Sequence, residues 1–302
     1  MSIHASTTAE AFEATALQPE VTAGVRPAAV WRRLVSHRSA AVGLSVLVIY
    51  ALAAIFGPIL FPFNPAQNHL EIVLSPPGAA GHILGTDNFG RDELLMLVYG
   101  SRYTLSLGLM AVILGILVGV PLGAVSGYFG GWIDILIQRL TDILLAFPSI
   151  VLALALVAGL GVGLRNVVIA VGVSSVPSFI RLVRADALRL RELPFVEAAR
   201  ALGVHPASIM LRHIIPNALA PVIVQATLQM GFAILLAASL GFFGLGVQPP
   251  TPEWGELLGD ARNYIFSDPN LATFPGLAIF AAVLAFNLIG DGLRDALDPR
   301  LG

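Results

Sequence analysis

Few side chains in this sequence could do chemistry, and their spacing narrows what they could do. Asp87, Asn88, Asp92 and Glu93 bring acids close together, as a cation site would. The spacing is not that of an EF-hand loop. Asp92 ahead of Glu93, Leu94 and Leu95 reads better as a helix N-cap. His69, His82, His205 and His213 do not fall at metal-ligand spacings, so no metal is expected. Cysteine is absent, and all 17 basic residues are arginine. Without lysine the chain cannot build a phosphate-cradling P-loop or a Schiff base. No HExxH pattern occurs, the apolar runs hold no His/Asp/Glu constellation, and no cofactor is called for. An enzyme is therefore not expected.

Two polar groups fall inside apolar stretches. Ser174, Ser175 and Ser178 flank Pro177, and Gln225 and Gln229 stand one helical turn apart. Either group suits a water-filled translocation path. Either also suits hydrogen bonds between helices. Residues 184–217 are different, being rich in arginine and punctuated by proline and glycine. Pro194 can start a helix and Gly203 can end it. Pro206 can start a second short helix, and Pro216 is expected to break the chain before the next apolar run. Glu197, Ala198 and Ala199 lie on the first helix, where small side chains permit close docking. The residues alone leave two readings open: a docking element, or a solvated amphipathic hairpin.

The elements that must carry these residues follow from composition. Of 302 residues, 56% are hydrophobic and 12% charged, against about 25% charged in a typical soluble domain. The net charge of -2 offers nucleic acid no basic surface. Uncharged runs extend 32 positions after Arg38, 31 after Arg102, 22 after Asp142, 15 after Arg165, 40 after Arg212 and 22 after Asp268. A membrane span needs about 20 apolar residues, and the short fourth run can be extended by a snorkelling Arg181. The pattern predicts an all-α membrane protein with six transmembrane helices near 40–61, 103–127, 143–160, 166–183, 218–246 and 273–291. With the N-terminus inside, thirteen arginines fall on the cytoplasmic side and four outside, so both termini are expected in the cytoplasm. Residues 1–27 read as a disordered cytoplasmic tail with no signal-peptide core. Residues 28–302 read as one transmembrane domain. Its soluble parts are an outer loop at 62–102, the cytoplasmic loop at 184–217 and a second outer loop at 247–272. Trp254 and Tyr264 of the last suit a membrane interface. Gly115, Gly119, Gly123 and Gly127, spaced by four, mark a face for close helix packing or for sliding. No run holds an ionisable group near its middle, which weakens a secondary-carrier reading.

Glu197-Ala198-Ala199, then Gly203, then Ile215-Pro216, with the proline thirteen residues past the glycine, resembles the EAA loop of permease subunits in binding-protein-dependent ABC importers. His213 stands where that pattern has its first isoleucine, and Ile215 where it has leucine. HILGTDNFGRD (82–92), YGSR (99–102) and GYFGGWID (127–134) resemble segments of the dipeptide/oligopeptide/nickel permeases. LGFFGLGVQPPTPEWG (240–255), TFPGLAI (273–279) and FNLIGDGLRDALDPRL (286–301) resemble their C-type subunit. The likeness spans roughly 28–302 and implies the type I ABC importer permease architecture in a bacterial inner membrane. It implies that Glu197, Ala198, Ala199 and Gly203 form the element coupling the permease to an ATPase subunit, with Arg200 as a charge contact. It implies as partners a second homologous permease subunit in a heterodimer, two ABC ATPase subunits and an extracytoplasmic solute-binding protein. The expected cargo is dipeptides or short peptides. Nickel, glutathione or another peptide-like solute is the alternative within the class, and an ATP-independent channel or secondary carrier the alternative outside it.

Overall fold

In the computed structural model, which describes residues 27–297, the uncharged runs are helices, and the longest is organised by small residues. An amphipathic helix α1 (Pro27–Ser36), not anticipated from sequence, leads into α2 (Arg38–Leu60). The long α3 (Glu93–Phe129) follows an irregular segment with two short 3-10 turns. Then come α4 (Gly131–Leu145), α5 (Ser149–Leu160) and α6 (Leu164–Leu190). Short helices α7 (Pro194–Ala201) and α8 (Pro206–Ile209) lead through a π-helical turn (Met210–Ile214) into α9 (Ile215–Phe242). The described chain finishes with α10 (Trp254–Ala261) and α11 (Asn270–Leu297). The predicted tail at 1–27 lies, but for Pro27, outside the described residues.

Among the described residues, five helices are long and apolar enough to cross a membrane, and α4 with α5 supplies a sixth crossing only as a bent pair. The expectation of one straight span at 143–160 is corrected. α4 and α5 meet at 91°, because Pro148 sits at the N-cap of α5 and biases Phe147 away from helical geometry. Twelve residues of α5 reach only about 18 Å, short of the roughly 30 Å of a bilayer core. The remaining spans run longer than read. α3 already begins at Glu93, α6 continues to Leu190, and α11 covers 270–297. The connections are correspondingly shorter and partly helical.

The glycine stripe of α3 does pack. A Cβ on Gly115 would meet Ser175 and Phe179, and one on Gly119 would lie 2.6 Å from the Phe179 Cβ. One on Gly123 would lie 2.7 Å from the Ile180 carbonyl oxygen, and one on Gly127 2.6 Å from the Ala187 Cβ. α3 and α6 are therefore in close contact over about three turns, backbone against backbone from Gly119 to Gly127. A buried cluster including Leu107, Phe179, Val183 and Leu240 forms the main core. A second cluster, at the Glu93 end of α3, gathers Met96, Ile234, Trp254, Leu257, Ile279 and Ala282. α2 leaves Ile49, Ile55 and Ile59 exposed, as a helix facing lipid or another subunit does.

Trp254 is not at a surface. It is 1% exposed, its indole N–H donates to the Leu97 carbonyl at 2.9 Å, and its ring meets Tyr50 edge-on at 5.1 Å. The interface reading of Trp254 is corrected accordingly: α10 turns it inward against α2 and α3.

Candidate functional site

The arginine-rich segment between α6 and α9 forms a compact element at the Phe129 end of α3. Pro194 occupies the first turn of α7, where no backbone N–H is needed. The helix stops at a Schellman closure. Gly203 takes φ +71°, its N–H donates to the Arg200 carbonyl at 2.9 Å, and the Val204 N–H donates to the Ala199 carbonyl at 3.0 Å. Only glycine takes that φ at low cost, which explains its place after Glu197-Ala198-Ala199.

One face of α7 is anchored. Val196 is fully buried and Ala199 is 8% exposed, and both join Ile209 in the cluster that contains Phe179. The opposite face is bare. Glu197, Ala198 and Ala201 are exposed, and Leu202 is 83% exposed. A leucine held out at a helix end by a rigid closure is what a docking knob requires. Sequence reading missed Leu202, and its one signal was an apolar residue directly before the helix-ending glycine.

Arg200 points the other way. Its guanidinium carbon lies 4.9 Å from the Tyr128 ring centroid, and its Nε is 3.4 Å from the Tyr128 hydroxyl. Arg191 donates from Nη1 to the Gly127 carbonyl at 3.0 Å. Nearby, Arg184 grips Asp134 with two bonds of 2.6 and 2.7 Å, and Ser126 donates to the same carboxylate at 2.5 Å. The turn between α3 and α4 is thus tied by arginines to both α6 and α7.

The second short helix does not stand apart. From Pro206 the chain is helical without interruption to Phe242, so Pro216 does not break it. The π turn explains why. The Ile215 N–H reaches back five residues to Met210, and this widening removes the clash a proline ring makes with the carbonyl four residues earlier. α8 is therefore rigidly continuous with a membrane helix.

The polar residues inside the helices are not brought to one place. Ser175 is fully buried in the α3–α6 seam and donates to its own helix at Val171, a position that serves packing. Ser174 likewise donates to Ala170. Ser178 is half-buried. Gln229 is 7% exposed and Gln225 half-buried, on α9. Neither glutamine side chain forms a hydrogen bond among the described residues.

At the far end of α3 the acidic turn is structural. Asp92 caps α3, accepting the Leu95 N–H at 2.8 Å, and pairs with His82 at 2.6 Å. Asp87 pairs with Arg91 at 2.6 Å, both buried. Glu253 caps α10, accepting the Gly255 and Glu256 N–H groups at 2.9 and 3.1 Å and the Thr104 hydroxyl at 2.9 Å. Burial pushes the Glu253 carboxyl up, and the hydrogen bonds from Gly255, Thr104 and Glu256 oppose that.

Comparisons with known proteins agree with this architecture. Residues 119–302 match the family described as binding-protein-dependent transport system inner membrane component. Residues 28–77 match the N-terminal TM domain of oligopeptide transport permease C. The chain is 49% identical over 271 residues to a dipeptide transport system permease protein of Alkalihalophilus pseudofirmus, covering 90% of this chain and 89% of the relative. It is 45% identical over 273 residues to a glutathione transport system permease protein of Pectobacterium atrosepticum, covering 90% of each. Among solved structures, an inward-facing conformation of the MetNI methionine ABC transporter superposes with a TM-score of 0.55 at 22% identity, over 67% of this chain and 97% of that one. That likeness concerns the fold. A bundle of membrane helices, a rigid elbow continuous with one of them and the family match lead to one conclusion: this chain belongs to the inner-membrane components of binding-protein-dependent ABC transport systems, a multi-pass transport subunit and not itself an enzyme.

Proposed function

We propose that this permease forms, with a second homologous permease subunit, the path by which an ATP-driven importer admits dipeptides or short peptides. Two ABC ATPase subunits on the cytoplasmic side drive it, and an extracytoplasmic solute-binding protein delivers the cargo. The support for the cargo class is the similarity to a dipeptide permease. Similarity to glutathione permeases favours a second reading, a peptide-like thiol, at nearly the same identity. Both termini and the α7–α8 elbow lie in the cytoplasm, in keeping with thirteen of 17 arginines on that side. Ser178 and Gln225 are the polar positions offered to the path.

The observation that carries the reading is the bare face of α7. Glu197, Ala198 and Leu202 stand out from a helix whose other face is locked into the core. A surface of this kind fits a cleft on the ATPase, and α8 and α9 carry the resulting motion into the membrane. The experiment is a pull-down in mild detergent of the complex carrying Leu202→Asp or Glu197→Arg. Because both side chains are exposed, the permease should insert normally. The ATPase subunits should be lost, or should no longer respond to loaded binding protein. Full retention of ATPase binding and stimulation in both variants would overturn the coupling role.

A further inference from the structure

At the Glu93 end of α3, six carboxylates crowd one guanidinium. Asp87 is 4% exposed, Glu93 2%, Glu253 1% and Glu256 5%, with Asp260 and Asp268 half-buried beside them. Arg91 neutralises Asp87, and three donors satisfy Glu253. That leaves buried carboxylate oxygens with no partner among the described residues: Oε1 of Glu93, both oxygens of Glu256 and Oδ2 of Asp260. Glu93 and Asp260 line one small cavity, no roomier than a single water needs.

A buried carboxylate without a partner does not stay charged; it takes up a cation or a proton. Among the described residues no three side chains of ligating type converge to hold a metal ion. The neutralising species that the geometry admits is a proton. Glu256 and Asp260 stand four residues apart on one face of α10, within reach of each other. We propose that Glu256 and Asp260 hold one proton between them, and that this shared proton latches α10 onto α3, α9 and α11.

The packing around α10 makes the latch sensitive. A Cβ on Gly241 of α9 would lie 2.4 Å from the Gly255 backbone, and one on Gly259 would lie 2.6 Å from the Gly241 carbonyl. With helices that close, an added charge cannot be relieved by a small shift. The groups facing Glu256 are Asp260 and Glu253 on its own helix and Arg91 on the segment before α3. Glu93 on α3 and Asp87 line the same cavity as Asp260, and the Asp268 charge acts on Glu93. Burial first, then the Asp260 charge, push the Glu256 carboxyl up from 4.5 to about 9, with Arg91 opposing. The docked form therefore keeps a proton that the undocked form gives up. Docking is strongest below about pH 4.5, weakens as pH rises, and loses the contribution above about pH 9.

Trp254 reports on this directly. It is 1% exposed, whereas Trp31 and Trp132 are 57% and 73% exposed. In the full chain, assembled in lipid nanodiscs and carrying Trp31→Phe and Trp132→Phe, acrylamide quenching of Trp254 is followed between pH 7 and 10.5. Quenching should rise several-fold in a step that is complete by about pH 9 and level above it. Glu256→Gln, a permanently neutral donor to Asp260, should abolish the step and keep quenching low. Asp260→Asn removes the charge that raises Glu256 and should move the step to lower pH. Thr104→Val, which only loosens the α10 cap, should raise quenching at every pH and leave the step in place. A flat wild-type profile, or a Glu256→Gln profile that keeps the step, overturns the proposal. Should Glu256→Gln fail to assemble, an unmoved step in Asp260→Asn overturns it equally. This site lies at the opposite end of α3 from α7, so failure here leaves the transport reading standing.

Discussion

Gly203 has open space where a Cβ would go, so the cost of replacing it belongs to the backbone alone. Asparagine tolerates the left-handed region, whereas a β-branched residue there costs about 1–2 kcal/mol. Gly203→Asn should preserve ATPase stimulation by loaded binding protein, and Gly203→Val should reduce it; equal behaviour of the two would remove the Schellman closure from the coupling path. Arg200 makes a related case. The family resemblance implied Arg200 as a charge contact, and in the structure its side chain lies over the Tyr128 ring. A double-mutant cycle of Arg200→Ala and Tyr128→Leu should return a coupling of about 0.5–1 kcal/mol, as an exposed cation–π pair gives. Independence of the two substitutions would mean that the tie between elbow and turn carries no energy.

Among the helices, the α3–α6 seam is the contact least able to absorb change. Gly119→Val must displace Phe179 and a backbone carbonyl, so a destabilisation of about 1–3 kcal/mol or more is expected, read from the denaturant midpoint in detergent. Gly276→Ala, which meets nothing within 4 Å, is the matched control and should leave the midpoint unmoved or slightly raised. Asp92→Ala removes the α3 cap and should cost about 0.5–2 kcal/mol, seen as faster hydrogen exchange in the first turn of α3. In the proposed coupling, the same seam is where α7 meets the membrane body. Gly127 ends the stripe, and the Arg191 and Arg200 ties lie within a residue of it. In the proposed coupling a push on the elbow enters α3 at the end of its glycine stripe.

For the molecule as a whole, the division of labour follows from a missing residue type. With no lysine in 302 residues, the chain has no means to grip nucleotide phosphates as a P-loop does, and the energy must arrive through contact. Reconstituted by itself in vesicles, the permease should move no peptide with or without ATP. Peptide uptake should appear when the second permease, the ATPases and the binding protein are all present. ATP-independent uptake by this chain alone would restore the channel or carrier reading. The two proposals place separate duties at the two ends of α3: receipt of force at the Phe129 end, and retention of α10 at the Glu93 end.

That the chain is built of apolar helices long enough to span, five of them as read and the sixth as a bent pair, and which short segment lies between them, was legible in the sequence. Both depend on local quantities: a bilayer admits only long uncharged runs, and proline and glycine act on their own backbone. Gly203 and Pro194 were read correctly for that reason. Pro216 was not, because whether a proline breaks a helix depends on whether neighbouring turns can widen, and packing of Ile209 and Ile214 into the core settles that here. The right angle after Ala146, the inward turn of Trp254, the backward fold of Arg200 and the exposure of Leu202 were likewise decided in three dimensions. Each depends on what lies across the contact, and composition and spacing along one chain do not contain that partner.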